Sequence, residues 1–261
     1  MPHWLDAARL LGHAAFRIEQ LRAGWCVAEA ELVAVDAADL AARLRGLGFG
    51  GERLLCDVTP ALDRKHVRGA RTIDARRRRD TTAGFARPGV QLDREARYSL
   101  TPEAIALELA DAARGSTVID AGCGAGGNTI GFARAGASVV AIERDAARLE
   151  MARHNARLYG VADRIRFMHG DAMELLPALS ADVLFVDPPW GEQWSRVRCG
   201  VDDLPLLAQL LPLSERFPAL WAKLPPSFDP SGIPGSHVRA VFGHAAGDAR
   251  RVKLIWLTRS R

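Results

Sequence analysis

Few cysteines, few histidines and no long apolar run mark this chain. Four cysteines, Cys26, Cys56, Cys123 and Cys199, occur in 261 residues. They are far apart and form no Cys-x-x-Cys pair, so neither a disulfide framework nor a zinc site is indicated. That usage fits a reducing cytoplasm. Histidines such as His154 and His169 show no metal-ligand spacing, and neither Gly-x-Ser-x-Gly nor His-Glu-x-x-His occurs, which leaves a hydrolase unsupported. No stretch reaches the length of a membrane span. Met1 to Gly12 has early polar residues and lacks the apolar core of a signal peptide. The expectation is a cytoplasmic protein with no membrane and no metal requirement.

What is present suffices for one large α/β domain and a smaller appendage: the chain is 48% hydrophobic. Its net charge of +4 suits an anionic partner without demanding one. Trp4, Ala8, Leu11, Ala15, Ile18 and Leu21 recur at helical spacing and predict an amphipathic N-terminal helix. A strand over Val27 to Val35, a helix capped by Asp36 and running to about Leu47, and a short strand over Arg53 to Val58 would complete a small accessory α+β module. From Asp63 to Arg87 the chain turns basic, with Arg64, Lys65, His66, Arg68 and Arg71 leading into Arg76, Arg77, Arg78 and Arg79. Such a run is either a solvated linker or helix face, or a phosphate-contacting patch beside the active site. The division expected is residues 1–88 for the module with its basic linker and 89–261 for the main domain.

The main domain is organised around Val118 to Ile130. Thr117 to Asp120 is a short apolar run ending in a carboxylate, which predicts a buried strand. Gly122, Gly124, Gly126 and Gly127 follow, giving a turn that lets backbone approach a ligand closely. Asn128 and Thr129 then open a helix whose N–H groups face that ligand. The glycines also fit the dinucleotide fingerprint, so alone they leave an oxidoreductase open. Asp120 at the strand end gives the Asp-x-Gly-x-Gly-x-Gly form used for S-adenosylmethionine, and Asp187-Pro188-Pro189-Trp190 has no role in hydride transfer.

Further strands are predicted at Ser138 to Glu143, Ile165 to Met168, Asp182 to Asp187 and Ala219 to Leu224, with a closing hairpin of His237 to Phe242 and Val252 to Thr258. Helices alternate with them, one starting at Thr101-Pro102-Glu103 with the hydroxyl as N-cap. This is a Rossmann-like α/β pattern: a seven-stranded, mostly parallel sheet with one antiparallel edge strand. Ligands bind outside the carboxyl ends of such strands, and each candidate falls there. Glu143 lies about twenty residues past the glycine loop, where an acid accepts ribose hydroxyls. Asp171, followed by Ala172, either takes the adenine amine or caps the next helix. Asp120 is placed to hold the methionine amine through the loop or water.

Asp187 ends the fourth strand. Two prolines remove two N–H donors, so carbonyls can face a ligand. The Asp187 carboxylate and the Pro188 carbonyl could hold an exocyclic amine, and Trp190 offers a flat face for its ring, a contact worth roughly 1–3 kcal/mol in single-strand binders. The bland alternative is a rigid turn with a buried tryptophan. Trp194 and Arg196 are candidates for the pocket rim.

The chain resembles the trimethylguanosine synthase family of RNA cap guanine-N2 methyltransferases, in a bacterial-type form. The resemblance is carried by Leu92-Asp93-Arg94-Glu95, by Tyr98-Ser99-Leu100-Thr101-Pro102-Glu103, by Asp120 to Ile130, by Arg153-His154-Asn155-Ala156 with Tyr159-Gly160-Val161-Ala162-Asp163, and by Pro188-Pro189-Trp190-Gly191. It implies a class I S-adenosylmethionine-dependent methyltransferase. Cofactor contacts would come from Thr101, Asp120, Glu143 and Asp171, and Trp190 would stack on a guanine. The family carries serine where this chain has Asp187, an acid typical of the wider group of nucleic-acid amine methyltransferases. The function expected is N-methylation of an exocyclic amine, most specifically guanine N2 of RNA or of a guanine nucleotide. A small natural-product amine and a non-catalytic nucleotide-binding module are the alternatives. Oligomeric state is not legible.

Overall fold

The structure, a computed structural model, describes residues 1–12, 16–20, 24–77, 84–191, 195–245 and 247–261. In chain order these form α1 (Ala7–Leu11), β1 (Arg17–Gln20), β2 (Cys26–Glu29), α2 (Ala34–Leu44), β3 (Gly48–Phe49), β4 (Glu52–Arg53), α3 (Arg64–Arg77) and α4 (Ala96–Ser99). There follow α5 (Glu103–Ala110), β5 (Thr117–Ala121), α6 (Gly127–Ala135), β6 (Ser138–Glu143), α7 (Ala146–Leu158), β7 (Ile165–His169), α8 (Ala172–Leu175) and β8 (Val183–Val186). The chain closes with α9 (Pro205–Ser214), β9 (Ala219–Leu224), β10 (His237–Phe242) and β11 (Val252–Ser260).

Seven strands make one sheet in the order β10-β11-β9-β8-β5-β6-β7. The strands from β9 through β8, β5 and β6 to β7 run parallel, and β11 is antiparallel to both its neighbours. The antiparallel strand is therefore second from the edge, not at the edge as the sequence pattern suggested. Because the hairpin folds back, its first strand β10 lies outside β11 and runs with the parallel set. Alternation along the central strands sorts the core into two layers. Val118, Val183 and Phe185 pack with Ile105, Leu109, Ile130, Phe132 and Leu149 on the face covered by α5, α6 and α7. Ile119, Ala121, Leu184 and Val186 pack with Leu176, Leu204, Leu207 and Leu210 on the other face, which α9 covers. Order reverses at β5, with β6 on one side and β8 on the other, so the crevice outside the carboxyl ends of β5 and β8 is the switch point.

The N-terminal segment departs from the expected helix over Trp4 to Leu21. Helix α1 stops at Gly12, whose φ of 73° is in the left-handed region, and Arg17–Gln20 instead pairs antiparallel with Cys26–Glu29. Likewise α2 begins before Asp36, with Val33 at its N-cap and Asp36 in its first turn. The strands expected over Val27 to Val35 and Arg53 to Val58 shrink to β2 and to the two-residue β4. A third apolar cluster, including Leu5, Leu10, Leu11, Leu40, Leu44 and Phe49, closes on Phe242 at the carboxyl end of β10. The N-terminal elements thus sit at the same end of the sheet as the switch point.

Candidate active site

The strand β5 delivers Asp120, fully buried, to the floor of the crevice. Three loop glycines then take φ values of 108° (Gly122), 54° (Gly124) and 91° (Gly126), all in the region that L side chains rarely adopt. A side chain at Gly127 would meet Leu100 Cδ1 at 2.6 Å, so α6 starts hard against the segment that carries Thr101. Thr101 was expected as the N-cap of α5, but that position falls to Pro102. The buried Thr101 hydroxyl has no hydrogen-bond partner among the described residues. Asp120 Oδ2 accepts from Thr129 Oγ1 at 2.5 Å, while its Oδ1 is also buried without a partner among them. Burial pushes the Asp120 carboxyl up to about 7, with the Thr129 bond acting against the shift and the Asp187 and Glu143 charges adding to it. Buried polar atoms left unsatisfied are uncommon in folded proteins. Two of them beside a loop with three left-handed glycines are what a polar ligand such as S-adenosylmethionine would complete.

Glu143, at the end of β6, is buried and reaches back to the loop. Its Oε2 accepts from the Gly124 N–H at 2.9 Å and its Oε1 from the Asp145 N–H at 2.9 Å. Asp171, after β7, is exposed and caps α8 by accepting from the Met173 N–H at 2.8 Å, with buried Ala172 next to it. The Gly170 N–H donates to the Glu143 carbonyl at 3.1 Å, so the three strand ends are stitched into one rim. Asn155 on α7, part of a resemblance motif but given no role by the sequence, is fully buried. Its Nδ2 donates to the carbonyls of Gln91 and Ala125, both at 2.9 Å, and its Oδ1 accepts from the Gln91 N–H at 2.8 Å. It fastens the glycine loop to the stretch before α4.

On the other side of the crevice, Asp187 leaves β8 with 19% of its side chain exposed. Asn128, from the first turn of α6, donates to Asp187 Oδ2 at 3.1 Å, and Lys223 Nζ, from β9, donates to the same oxygen at 2.7 Å. Burial raises the Asp187 pKa, against which the Lys223 charge and both hydrogen bonds act. Pro188 is buried, and its carbonyl accepts no hydrogen bond from the described residues. Trp190 is half-buried between the two core layers, with Lys223 Nζ 5.5 Å from its ring centroid. Lys223 also donates to the Ser99 carbonyl at 2.8 Å. It is a residue that the sequence did not announce: a lone lysine in an apolar strand, given its partner by the β8–β9 pairing.

The basic run is in part a helix. Arg64, Lys65, His66, Arg68 and Arg71 are exposed on α3, and Lys65, Arg68, Gly69, Thr72 and Ile73 line an open groove of about 480 Å³. Arg76 and Arg77 end α3, but the side chains of both, with Arg78 and Arg79, lie outside the described residues, as does Trp194. Arg196 is exposed, and its carbonyl accepts from the Gly48 N–H at 3.0 Å. Among the described residues no three His, Cys, Asp or Glu side chains group to hold a metal, and no helix is long and apolar enough to cross a membrane.

Residues 115–196, which run from β5 past Trp190, match the family model of the RNA cap guanine-N2 methyltransferases. The trimethylguanosine synthase of Schizosaccharomyces pombe is 37% identical over 113 residues, 40% of this chain and 47% of that protein. An uncharacterized RNA methyltransferase of Gloeobacter violaceus is 46% identical over 80 residues, 31% of this chain and 17% of that one. Over this segment the chain is similar to RNA methyltransferases. The chain spans less than half the length of those curated relatives. A crystal structure from Porphyromonas gingivalis W83, assigned as a methyltransferase, superposes with a TM-score of 0.56 at 20% identity, covering 87% of this chain and 57% of that one. At that identity the likeness concerns fold alone, and it agrees with the Rossmann-like class I architecture expected from the sequence.

Proposed function

We propose that the protein methylates an exocyclic amine, guanine N2 of RNA or of a guanine nucleotide. The observation that carries this reading is the pairing, at the end of β8, of a carboxylate with a proline carbonyl that no described residue occupies. Together they suit the two N–H bonds of an aromatic amine. Such an amine is a poor nucleophile because its lone pair is delocalised into the ring. Holding both hydrogens on Asp187 and Pro188 would turn the lone pair out of that conjugation and towards the donor. Trp190 would support the ring by stacking. Bound S-adenosylmethionine supplies an electrophilic methyl group on a sulfonium that leaves as a neutral thioether. Glu143 would hold its ribose, Asp171 with Ala172 its adenine, and Thr101, Pro102, Asp120, Asn128, Thr129 and the loop glycines its methionine end. The amine gains positive charge as the new bond forms, and Asp187 is placed to steady that charge and take the released proton. Positioning and pre-aimed acceptors then do most of the catalysis.

RNA as the carrier of the amine is supported by the family match at residues 115–196 and by the exposed cations of α3. In this reading residues 1–88 are an accessory module that presents a phosphate-binding face, extended by Arg76, Arg77, Arg78 and Arg79, beside the domain of residues 89–261. Arg251, at the foot of β11, donates to the Asp74 carbonyl of α3 at 3.3 Å. The helix is therefore anchored at a strand roughly 10 Å, two strand spacings, from β8. Single-turnover methyl transfer to guanine-containing RNA and to free guanine nucleotides, with the methylated atom read by mass spectrometry, tests the proposal. A methyl group found on carbon or oxygen would overturn it.

A further inference from the structure

Lys223 is buried, 5% exposed, in a strand that is otherwise apolar. A buried cation is costly unless paired, and a stability argument alone would favour an apolar side chain of the same length there. Its ammonium has three N–H bonds. One goes to Asp187 Oδ2 and one to the Ser99 carbonyl, with Trp190 beside it. Asp187 Oδ2 is thus occupied by Lys223 and Asn128, whereas Oδ1 takes no hydrogen bond from the described residues. The charged groups facing this carboxylate are Lys223 from β9 and Asp120 from β5, with Glu143 from β6 acting on Asp120 in turn.

We infer that Lys223 is a positioning residue for the acceptor amine: it pins one oxygen of Asp187, keeps the carboxylate ionised beside Asp120, and leaves the other oxygen aimed at the amine. Through Ser99 it also ties that carboxylate to the stretch leading to Thr101, so the donor and acceptor halves of the crevice share one fastening. This rests on the amine reading only for the identity of what meets Oδ1; the hold on Asp187 does not depend on it.

The test compares wild type with K223M, which keeps the stem and loses the charge, and with K223R. Carboxylate carbon NMR, with D187N to assign the signal, reads the Asp187 titration directly and needs no acceptor. In K223M the Asp187 midpoint should rise by about one unit or more, since the opposite charge that favours ionisation is gone. The methyl-transfer rate should fall about tenfold per unit of that rise at a pH below the new midpoint and recover as pH increases, while S-adenosylhomocysteine affinity stays within about threefold. K223R should restore both midpoint and rate. In an Asp187→Ser background the lysine change should cost much less, because the interacting pair is already broken. An unchanged Asp187 midpoint in K223M would overturn the inference, as would a rate loss equal at every pH. A raised midpoint with no methylation of guanine RNA by wild type would uphold it and sink the substrate reading instead. Should K223M fail to fold, K223Q carries the same two readouts.

Discussion

Replacing Asp120 by asparagine removes one titrating proton from beneath the glycine loop, and two consequences follow with known sign. Burial holds this carboxyl at about 7 in the folded chain against an ordinary value of 3.8. Between those two values the unfolded chain has released a proton that the native state still binds. Native stability therefore falls as pH rises through that window, by up to about 4 kcal/mol if the full shift of roughly three units is expressed. The penalty is absent below about pH 4 and constant above about pH 7 to 8. D120N should flatten this slope, so that thermal or urea denaturation finds the variant gaining on wild type between about pH 4 and pH 7. Binding should go the other way. A cationic amine approaching the unpartnered Oδ1 favours the ionised carboxylate, so S-adenosylhomocysteine affinity in wild type should rise between about pH 6 and 8, approaching tenfold per unit below the midpoint. Calorimetry in buffers of different ionisation enthalpy would count the proton released, after correction for the ligand's own amine. D120N should bind weakly with no such slope. Wild-type binding that ignores pH and releases no proton would refute both the perturbed carboxyl and its place near the amine.

Glu143→Ala should weaken S-adenosylhomocysteine binding roughly tenfold or more, since hydrogen bonds to a charged group contribute about 1.5–3 kcal/mol and the change also frees the Gly124 N–H; unchanged affinity by calorimetry would remove Glu143 from the site. Trp190→Ala should raise KM for the acceptor more than it lowers kcat, the mark of lost uniform binding, and steady-state kinetics on RNA would show it. Asp187→Ala should lower kcat on the order of a hundredfold, with Asp187→Ser retaining more because a hydroxyl still accepts from the amine. Changing Arg64, Lys65, Arg68 and Arg71 to glutamine, alone or with Arg76, Arg77, Arg78 and Arg79, should flatten the log–log salt dependence of RNA binding by about 0.7 for each phosphate no longer neutralised. Equal slopes would leave α3 a solvated face.

How much of this was legible depends on how far apart in sequence the interacting parts lie. The stretch from β5 to α6 is self-contained. Its apolar run, its carboxylate and its glycines are contiguous, and the loop φ values at Gly122, Gly124 and Gly126 are what those glycines permit. The order of Glu143, Asp171 and Asp187 was readable because a parallel sheet puts successive strand ends on one rim. The N-terminus was misread because helical spacing of apolar residues competes with local breakers. Gly12 stops α1, and Ile18, counted as part of a helix face, is 46% exposed on a strand. The basic run from Arg64 leaves open a solvated linker or helix face and a phosphate-contacting patch, because few apolar residues mark how it packs. Its helix is held by groups from elsewhere, Ala70 packed against Ala38 and Ala42 of α2 and Asp74 paired with Arg251. Lys223 was invisible for the same reason in stronger form. Nothing near it in sequence marks it, and its meaning comes only from the register that sets Val186 of β8 opposite Ala222 of β9.

That register bears on why an acid can occupy the position where trimethylguanosine synthases, by resemblance, carry serine. A second carboxylate introduced beside buried Asp120 raises the cost of ionising either, and Asp187 indeed pushes the Asp120 carboxyl upward. Lys223 acts on both, lowering each. An acid at the end of β8 and a lysine near the end of β9 are then one device rather than two choices, and they should stand or fall together. Serine at 187 needs no counter-ion, and a lysine left facing it would be a buried charge without its partner, which is strongly destabilising. Asp187→Ser in this chain should therefore lower the melting temperature even while it spares activity relative to alanine, and adding Lys223→Met should restore the stability. Thermal unfolding of the two single variants and the double variant decides the matter: additive losses would separate the residues, and recovery in the double variant would bind them into one unit.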